Sequence, residues 1–320
     1  MSSVMSYPCG ICNLDCIGYR EIGCEHCDNW YQLSCENLKV KDFTFLSKTT
    51  LPYICSQCTY YSSSKQFNYD MALERLTVAA RADRLEEAIK LELVFLRKEL
   101  STVTSPTNTI SFRYLRTDAI SSRLLGQTWD KTIPISVSAD GNCLFNALSV
   151  AVFGHEHASS EIKVKTCIEM TLNESFYINA HSVTNIPLVS GSFEESKLDC
   201  AINGRYSSSW IIHAASTVVS RPIKSVYPVA NGPVDGYIGI LNTTFRPKIS
   251  KSSNEFVIMC THSNTATSSS NNCAPNHFVP LIPKEDASKK GGEYCKEVKK
   301  SFISLDPPPE PSSVVVVKRK

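Results

Sequence analysis

This 320-residue chain is short of three things: surplus charge of one sign, long apolar runs, and a leader-like start. Its 33 Lys and Arg face 31 Asp and Glu, a formal net charge of +2. It therefore lacks the basic excess that drives attachment to phosphate backbones, and direct nucleic-acid binding is not expected. No apolar run, VVVV at Val314 to Val317 included, is long enough to cross a bilayer. The opening MSSVMSYPCG has no basic segment followed by an apolar stretch. The expectation is a soluble intracellular protein that neither enters a membrane nor is secreted. No internal repeat is visible, and the length suits roughly two domains plus linkers.

Cysteine, by contrast, is abundant and unevenly spread. Eight of the fourteen fall in the first 58 residues, several as C-x-x-C pairs, and the other six are scattered. That crowding points to metal rather than to disulfides. Residues 7–61 form a loop-rich segment with too few apolar side chains to fold around a core of their own, so zinc is the expected core.

The next segment, 66–103, carries apolar residues at Leu73, Leu76, Ala80, Leu85, Ile89, Leu93, Leu96 and Leu100 with charges between them. This spacing predicts one amphipathic helix linking two domains, ended near Pro106. Residues 110–284 alternate helical and strand-like patterns, with β-rich runs at Val226 to Val229, Tyr237 to Leu241, Phe256 to Met259 and Phe278 to Ile282, a mixed α/β domain. Residues 285–320, rich in Lys, Ser and Pro, read as a disordered tail whose closing KRK is a solvated terminus or a nuclear signal.

Within the first segment the cysteines run Cys9, Cys12, Cys24, Cys27, Cys35, Cys55, Cys58. Each C-x-x-C lets two thiolates grip one tetrahedral zinc from a tight turn. CEHCDNWYQLSC followed by YICSQC resembles the second half of a PHD finger. That resemblance implies interleaved ligands: Cys24, Cys27, Cys55 and Cys58 on one zinc, and Cys9, Cys12 and Cys35 on the other. Gln32 stands where the family has a histidine, and a neutral amide is a poor zinc donor beside thiolates. Cys16, His26 or a water is left to fill that place. PHD fingers commonly read the histone H3 tail, some through an aromatic cage for methyl-lysine. Trp30 aligns with the cage tryptophan, and Tyr7 and Tyr19 are further candidate walls; packing against the zinc loops is the alternative role for Trp30.

In ISVSADGNCLFNALSVAVFG a strand-like run leads through the turn Asp140, Gly141, Asn142 into a helical pattern opening at Cys143. A thiol at a helix N-terminus meets the positive end of the macrodipole, and the turn can aim N–H groups at an oxyanion. A base must come from elsewhere in the chain. Of the seven histidines, His277 in PNHFVPLI opens a strand-like run that can pair with EFVIMC, with His262 as competitor. DGNCLFNAL and NHFVPL together resemble the Cys and His boxes of the OTU (ovarian tumour) family of deubiquitinating cysteine proteases. RPIKSVYPVANG and ILNTTFRP look like the OTU-like region of vertnin-related proteins.

The resemblance implies Cys143 as nucleophile, His277 as base and Asp140 as the motif aspartate, acting on ubiquitin isopeptide bonds. Many family members carry Asp or Asn two residues after the histidine to orient the ring. Here that residue is Val279, so Asp140 or Asn276 is left for the role. The whole chain is expected to be a PHD-type zinc finger, a helical linker and an OTU-like domain. It is expected to act on ubiquitin or ubiquitinated proteins, with a histone H3 tail as a further partner and the nucleus favoured over the cytoplasm. The competing expectations are a non-catalytic OTU-like adaptor and a derivative of a mobile genetic element.

Overall fold

A computed structural model describes residues 7–16, 20–48, 51–60, 67–96, 115–179, 186–227, 241–250, 252–261 and 276–288. Tyr19, His262, most of the Tyr237 to Leu241 run and the tail beyond 288 lie outside them.

The cysteine-rich segment folds as two small hairpins. Strand β1 (Tyr7–Pro8) pairs antiparallel with β2 (Asp15–Cys16), and β3 (Glu21–Gly23) with β4 (Trp30–Gln32). Two short helices follow, α1 (Val40–Leu46) and α2 (Ser56–Thr59). The interior of this module is made of Cys9, Cys16, Cys24, Tyr31, Tyr53 and Cys55, with few aliphatic side chains among them.

Where the periodicity predicts one helix, the chain makes two, α3 (Tyr69–Arg81) and α4 (Leu85–Phe95). The break is at Asp83, whose φ of 56° is left-handed and cannot continue an α-helix. A left-handed residue is invisible to a periodicity that counts only apolar positions. Asn68 caps α3 by accepting from the Met71 N–H at 3.0 Å. The pair is held closed by Arg75 and Glu92, whose guanidinium and carboxylate meet through two hydrogen bonds. Leu91 of α4 joins the cysteine-rich interior, while Leu85, Ala88 and Ile89 join the main core. The pair therefore packs into both units.

The remaining described chain builds a mixed helix and sheet unit. Its elements are α5 (Ala119–Leu124), β5 (Thr132–Pro134), α6 (Cys143–Phe153), α7 (Ser159–Leu172), α8 (Glu174–Asn179), α9 (Ile186–Ser190), α10 (Phe193–Ala201) and α11 (Ser209–Val218). These are followed by β6 (Ile223–Val226), β7 (Thr244–Phe245), β8 (Phe256–Thr261), β9 (His277–Pro283) and α12 (Lys284–Ser288). The last of these is a short helix at the start of the stretch expected to be a disordered tail. The sheet order is β5-β9-β8-β6-β7, antiparallel except for the β6–β8 pair.

Helix α6 reads CLFNALSVAVF, apolar on every side, and ten of its eleven residues are buried. Such a helix belongs in the centre of a unit rather than on its face, and it lies against β9, α7 and β8. Gly154, at φ 79°, ends it in a left-handed cap. Ser192 and Glu195 form a reciprocal capping box that starts α10. Among the described residues no helix is long and apolar enough to cross a membrane.

Candidate functional site

The start of α6 meets the start of β9. Cys143 is the first residue of α6 and is 2 % exposed. Its thiol faces the main-chain N–H groups of Phe278, Leu144 and Cys143 itself. Burial pushes this thiol above its ordinary pKa, those N–H groups pull it back, and the Asp140 carboxylate adds to the rise. Together these effects favour the thiol form.

His277 opens β9 opposite Thr261 and is 3 % exposed. Its ring contacts the main-chain carbonyl of Val137. Nδ1 is buried and, among the described residues, has no hydrogen-bond partner. Burial lowers the pKa of this imidazole, against the opposing pull of Asp118, Asp140, Glu156 and the Val137 carbonyl. Burial thus favours the neutral ring. Alternation along the strand puts Val279 on the same face as His277, but Val279 is fully buried core. The Val137 carbonyl is a main-chain neighbour of the ring that the order of residues does not reveal.

Asp140 does not act on the ring by contact. Its Oδ1 accepts from the Asn142 N–H at 2.8 Å and from Asn146 Nδ2 at 3.1 Å, which fixes the turn before Cys143. One N–H expected to face an oxyanion, that of Asn142, is thus already taken. The turn is also held from across the fold. Asn142 Oδ1 accepts from Lys163 Nζ at 2.7 Å and from the Gly204 N–H at 3.1 Å, while Asn142 Nδ2 donates to Asn203 Oδ1 at 2.8 Å. Lys163 is almost fully buried and also donates to the Ile202 carbonyl at 2.8 Å. Sequence reading misses Val137, Lys163 and Asn203 because each acts from a distant part of the chain, Val137 through its main chain alone.

A cleft of about 770 Å³ lies on the Phe278 face of the sheet, with Tyr206, Ser207, Ser225 and Cys260 in its wall. Neither Cys143 nor His277 lines it, although Tyr206 stacks on Phe278 at 5.2 Å. Ser207 Oγ is buried there with no hydrogen-bond partner among the described residues.

In the cysteine-rich module the ligand atoms of Cys24, Cys27, Cys55 and Cys58 lie within 4.8 Å of one another, as do those of Cys9, Cys12 and Cys35. Zinc–sulfur bonds of about 2.3 Å in a tetrahedron place sulfurs about 3.8 Å apart. Cys27 and Cys55 sulfurs stand at 3.9 Å, so the four-cysteine set fits such an ion. Main-chain N–H groups point at the sulfurs, from Cys55 to Cys24 at 3.2 Å and from Gln32 to Cys9 at 3.5 Å. Burial raises the Cys9 thiol, but the N–H groups of Cys12, Gln32 and Ile11 outweigh it and hold the pKa at about 6. Burial likewise raises Cys55, to about 11, with the neighbouring Cys24 charge adding to the rise. Crowded thiolates of this kind are what a divalent cation relieves.

Tyr7 and Trp30 do meet, but as a stacked pair with centroids 5.5 Å apart and planes 25° apart. Their facing sides leave no room for an ammonium group between them. Tyr19 lies outside the described residues.

Residues 134–190 and 183–261 match the family model described as Vertnin, OTU domain. The match takes in Asp140 and Cys143 and stops short of His277. Vertnin of Danio rerio is 24% identical over 238 residues, 67% of this chain and 34% of that protein. Vertnin of Homo sapiens is 23% identical over 202 residues, 55% of this chain and 28% of that one. The chain thus spans about a third of the length of the curated relatives it matches. Among solved structures, the OTU domain of OTUD1 is 14% identical, covering 48% of this chain and 87% of its own, with a TM-score of 0.32. The viral OTU domain protease from Farallon virus is 17% identical, covering 49% and 86%, with a TM-score of 0.30. The chain carries an OTU-like domain. Ahead of it stands a small cysteine-rich module consistent with metal binding.

Proposed function

We propose that the OTU-like domain is a cysteine-dependent hydrolase of ubiquitin isopeptide bonds, with Cys143 as nucleophile and His277 as base. The observation that carries this reading is the buried, unpartnered Nδ1 of His277, the residue next to Phe278, whose main-chain N–H faces the Cys143 thiol. A buried nitrogen without a partner is costly for stability alone, and a proton-accepting role accounts for it. In the reaction Nδ1 takes the thiol proton, and Sγ attacks the carbonyl carbon of the ubiquitin C-terminal glycine. The collapsing intermediate expels the lysine amine, which receives that proton, and water then releases ubiquitin from the thioester. Asp140, Asn142 and Lys163 position the turn and take no proton.

Ahead of it, the reading is a PHD-type finger over residues 7–61, joined by the helical pair to an OTU-like domain over residues 110–284. Zinc on Cys24, Cys27, Cys55 and Cys58 would cross-link loops that otherwise have no core. Recruitment to a histone H3 tail in the nucleus is the finger's proposed role. It rests on the aligned Trp30, which is exposed beside Tyr7.

The test is capture of the purified protein by ubiquitin carrying a C-terminal electrophile. A covalent adduct that disappears in Cys143→Ala and falls steeply in His277→Ala supports the enzyme. The second reading, a binder of ubiquitin that does not cleave it, is favoured by Val279 and by the raised, nearly inaccessible thiol. Folded, zinc-loaded protein that binds ubiquitin without forming an adduct would establish it.

A further inference from the structure

The set of Cys9, Cys12 and Cys35 has three thiolates and lacks a fourth donor. Three residues compete for that place. His26 is exposed and sits between Cys24 and Cys27, on the turn that serves the other set. Gln32 is close, but its Nε2 donates to the Asp15 carbonyl at 3.4 Å, and a neutral amide oxygen is a weak donor beside thiolates.

Cys16 is placed differently. It lies on β2 in register with Tyr7, so the hairpin carries it beside Cys9. It is only 6 % exposed and belongs to the same small interior as Cys9. The Cys9 and Cys12 thiols are near enough to act on it electrostatically. The Cys16 sulfur is outside the convergent set of three, and ligation requires its side chain to turn towards them.

We propose that Cys16 is the fourth ligand of a second metal site with Cys9, Cys12 and Cys35, in the place that Gln32 does not fill. The module then holds two four-thiolate sites. Four thiolates in a tetrahedral set select zinc, with cobalt(II) as a faithful spectroscopic substitute. This inference rests on the reading of the module as metal-binding, and the two can fail separately.

The experiment uses the full chain. Zinc stoichiometry is counted by native mass spectrometry, zinc affinity is measured by competition with a chelator, and thiolate number is read from the sulfur-to-metal absorption of the cobalt form. Two zinc ions are expected in the unmodified protein. Cys16→Ser should weaken the second ion at least tenfold and lower the cobalt charge-transfer intensity, with the Cys24 site kept as internal control. Gln32→Ala should leave both ions in place. Gln32→His added to Cys16→Ser should restore the second ion, which separates lost ligation from misfolding. A loss under tenfold in Cys16→Ser, an equal loss in Gln32→Ala, or a single ion in the unmodified protein overturns the proposal. No ion at all overturns the metal-binding reading itself.

Discussion

A methyl group on Gly141 would stand 1.9 Å from the carbonyl oxygen of Gly204. The turn that presents Cys143 is thus packed directly against the main chain of the loop after α10. Both glycines have left-handed φ, 83° and 78°, but only Gly141 has no space for a side chain; at Gly204 the nearest atom is the Asp140 carbonyl oxygen at 3.3 Å.

Gly204→Ala should therefore cost about 1–2 kcal/mol from its φ alone. Gly141→Ala should cost that and, in addition, about 1–3 kcal/mol from the forced main-chain shift. Denaturant unfolding of the two variants checks the order, and equal destabilisation would show that the turn can move away from Gly204.

Arg75 and Glu92 make a second discriminating pair. The Glu92 carboxylate is fully buried against Arg75, and burial raises its pKa in spite of the guanidinium. Removing one partner leaves a buried charge, so Arg75→Met should cost about 3–5 kcal/mol. Arg75→Met combined with Glu92→Leu should recover most of that, because an apolar pair of similar volume carries no desolvation penalty. Thermal or denaturant unfolding of the single and double variants measures the coupling.

The histidine makes a prediction about pH. Its folded pKa lies below the ordinary value of about 6.5, so the unfolded chain binds the proton more readily. Stability contributed by neutral His277 is present above that ordinary value and is lost as pH falls from it through the folded pKa. Unfolding titrations between about pH 7 and 4 should show a loss in the unmodified protein that is smaller in His277→Phe. The Cys143 thiol moves the other way. Its alkylation by iodoacetamide, followed by peptide mass spectrometry, should rise with pH and reach half-maximum above the range of a free cysteine.

Val279 tests the orienting contact. With the Val137 carbonyl on the ring, an amide at position 279 is not needed, and it would enter a fully buried site. Val279→Asn should cost about 1–3 kcal/mol and leave capture by a ubiquitin electrophile no faster. Faster capture in that variant would mean that the ring lacks an orienting partner.

Much of the site is legible in the order of residues. The apolar circumference of CLFNALSVAVF predicts a central helix opening at Cys143, and the run after Asn276 predicts the strand that His277 begins. The resemblance to a PHD finger implies two interleaved sets, and the thiols converge in those sets. The single helix that the periodicity predicts over 66–103 is two helices, because Asp83 breaks it through a backbone conformation that carries no hydropathy signal.

What the sequence determined by itself is what depends on local chemistry: which thiol opens a helix, which cysteines share a turn, and which runs are apolar enough to be buried. Only the tertiary structure decided that the Val137 carbonyl comes to the His277 ring and that Lys163, Asn203 and Gly204 grip the Asp140 turn. It also placed Cys16 beside Cys9 and stacked Tyr7 on Trp30 with no gap between them. Main-chain groups are the same in every residue and long-range neighbours are set by packing, so neither leaves a trace in the order of side chains.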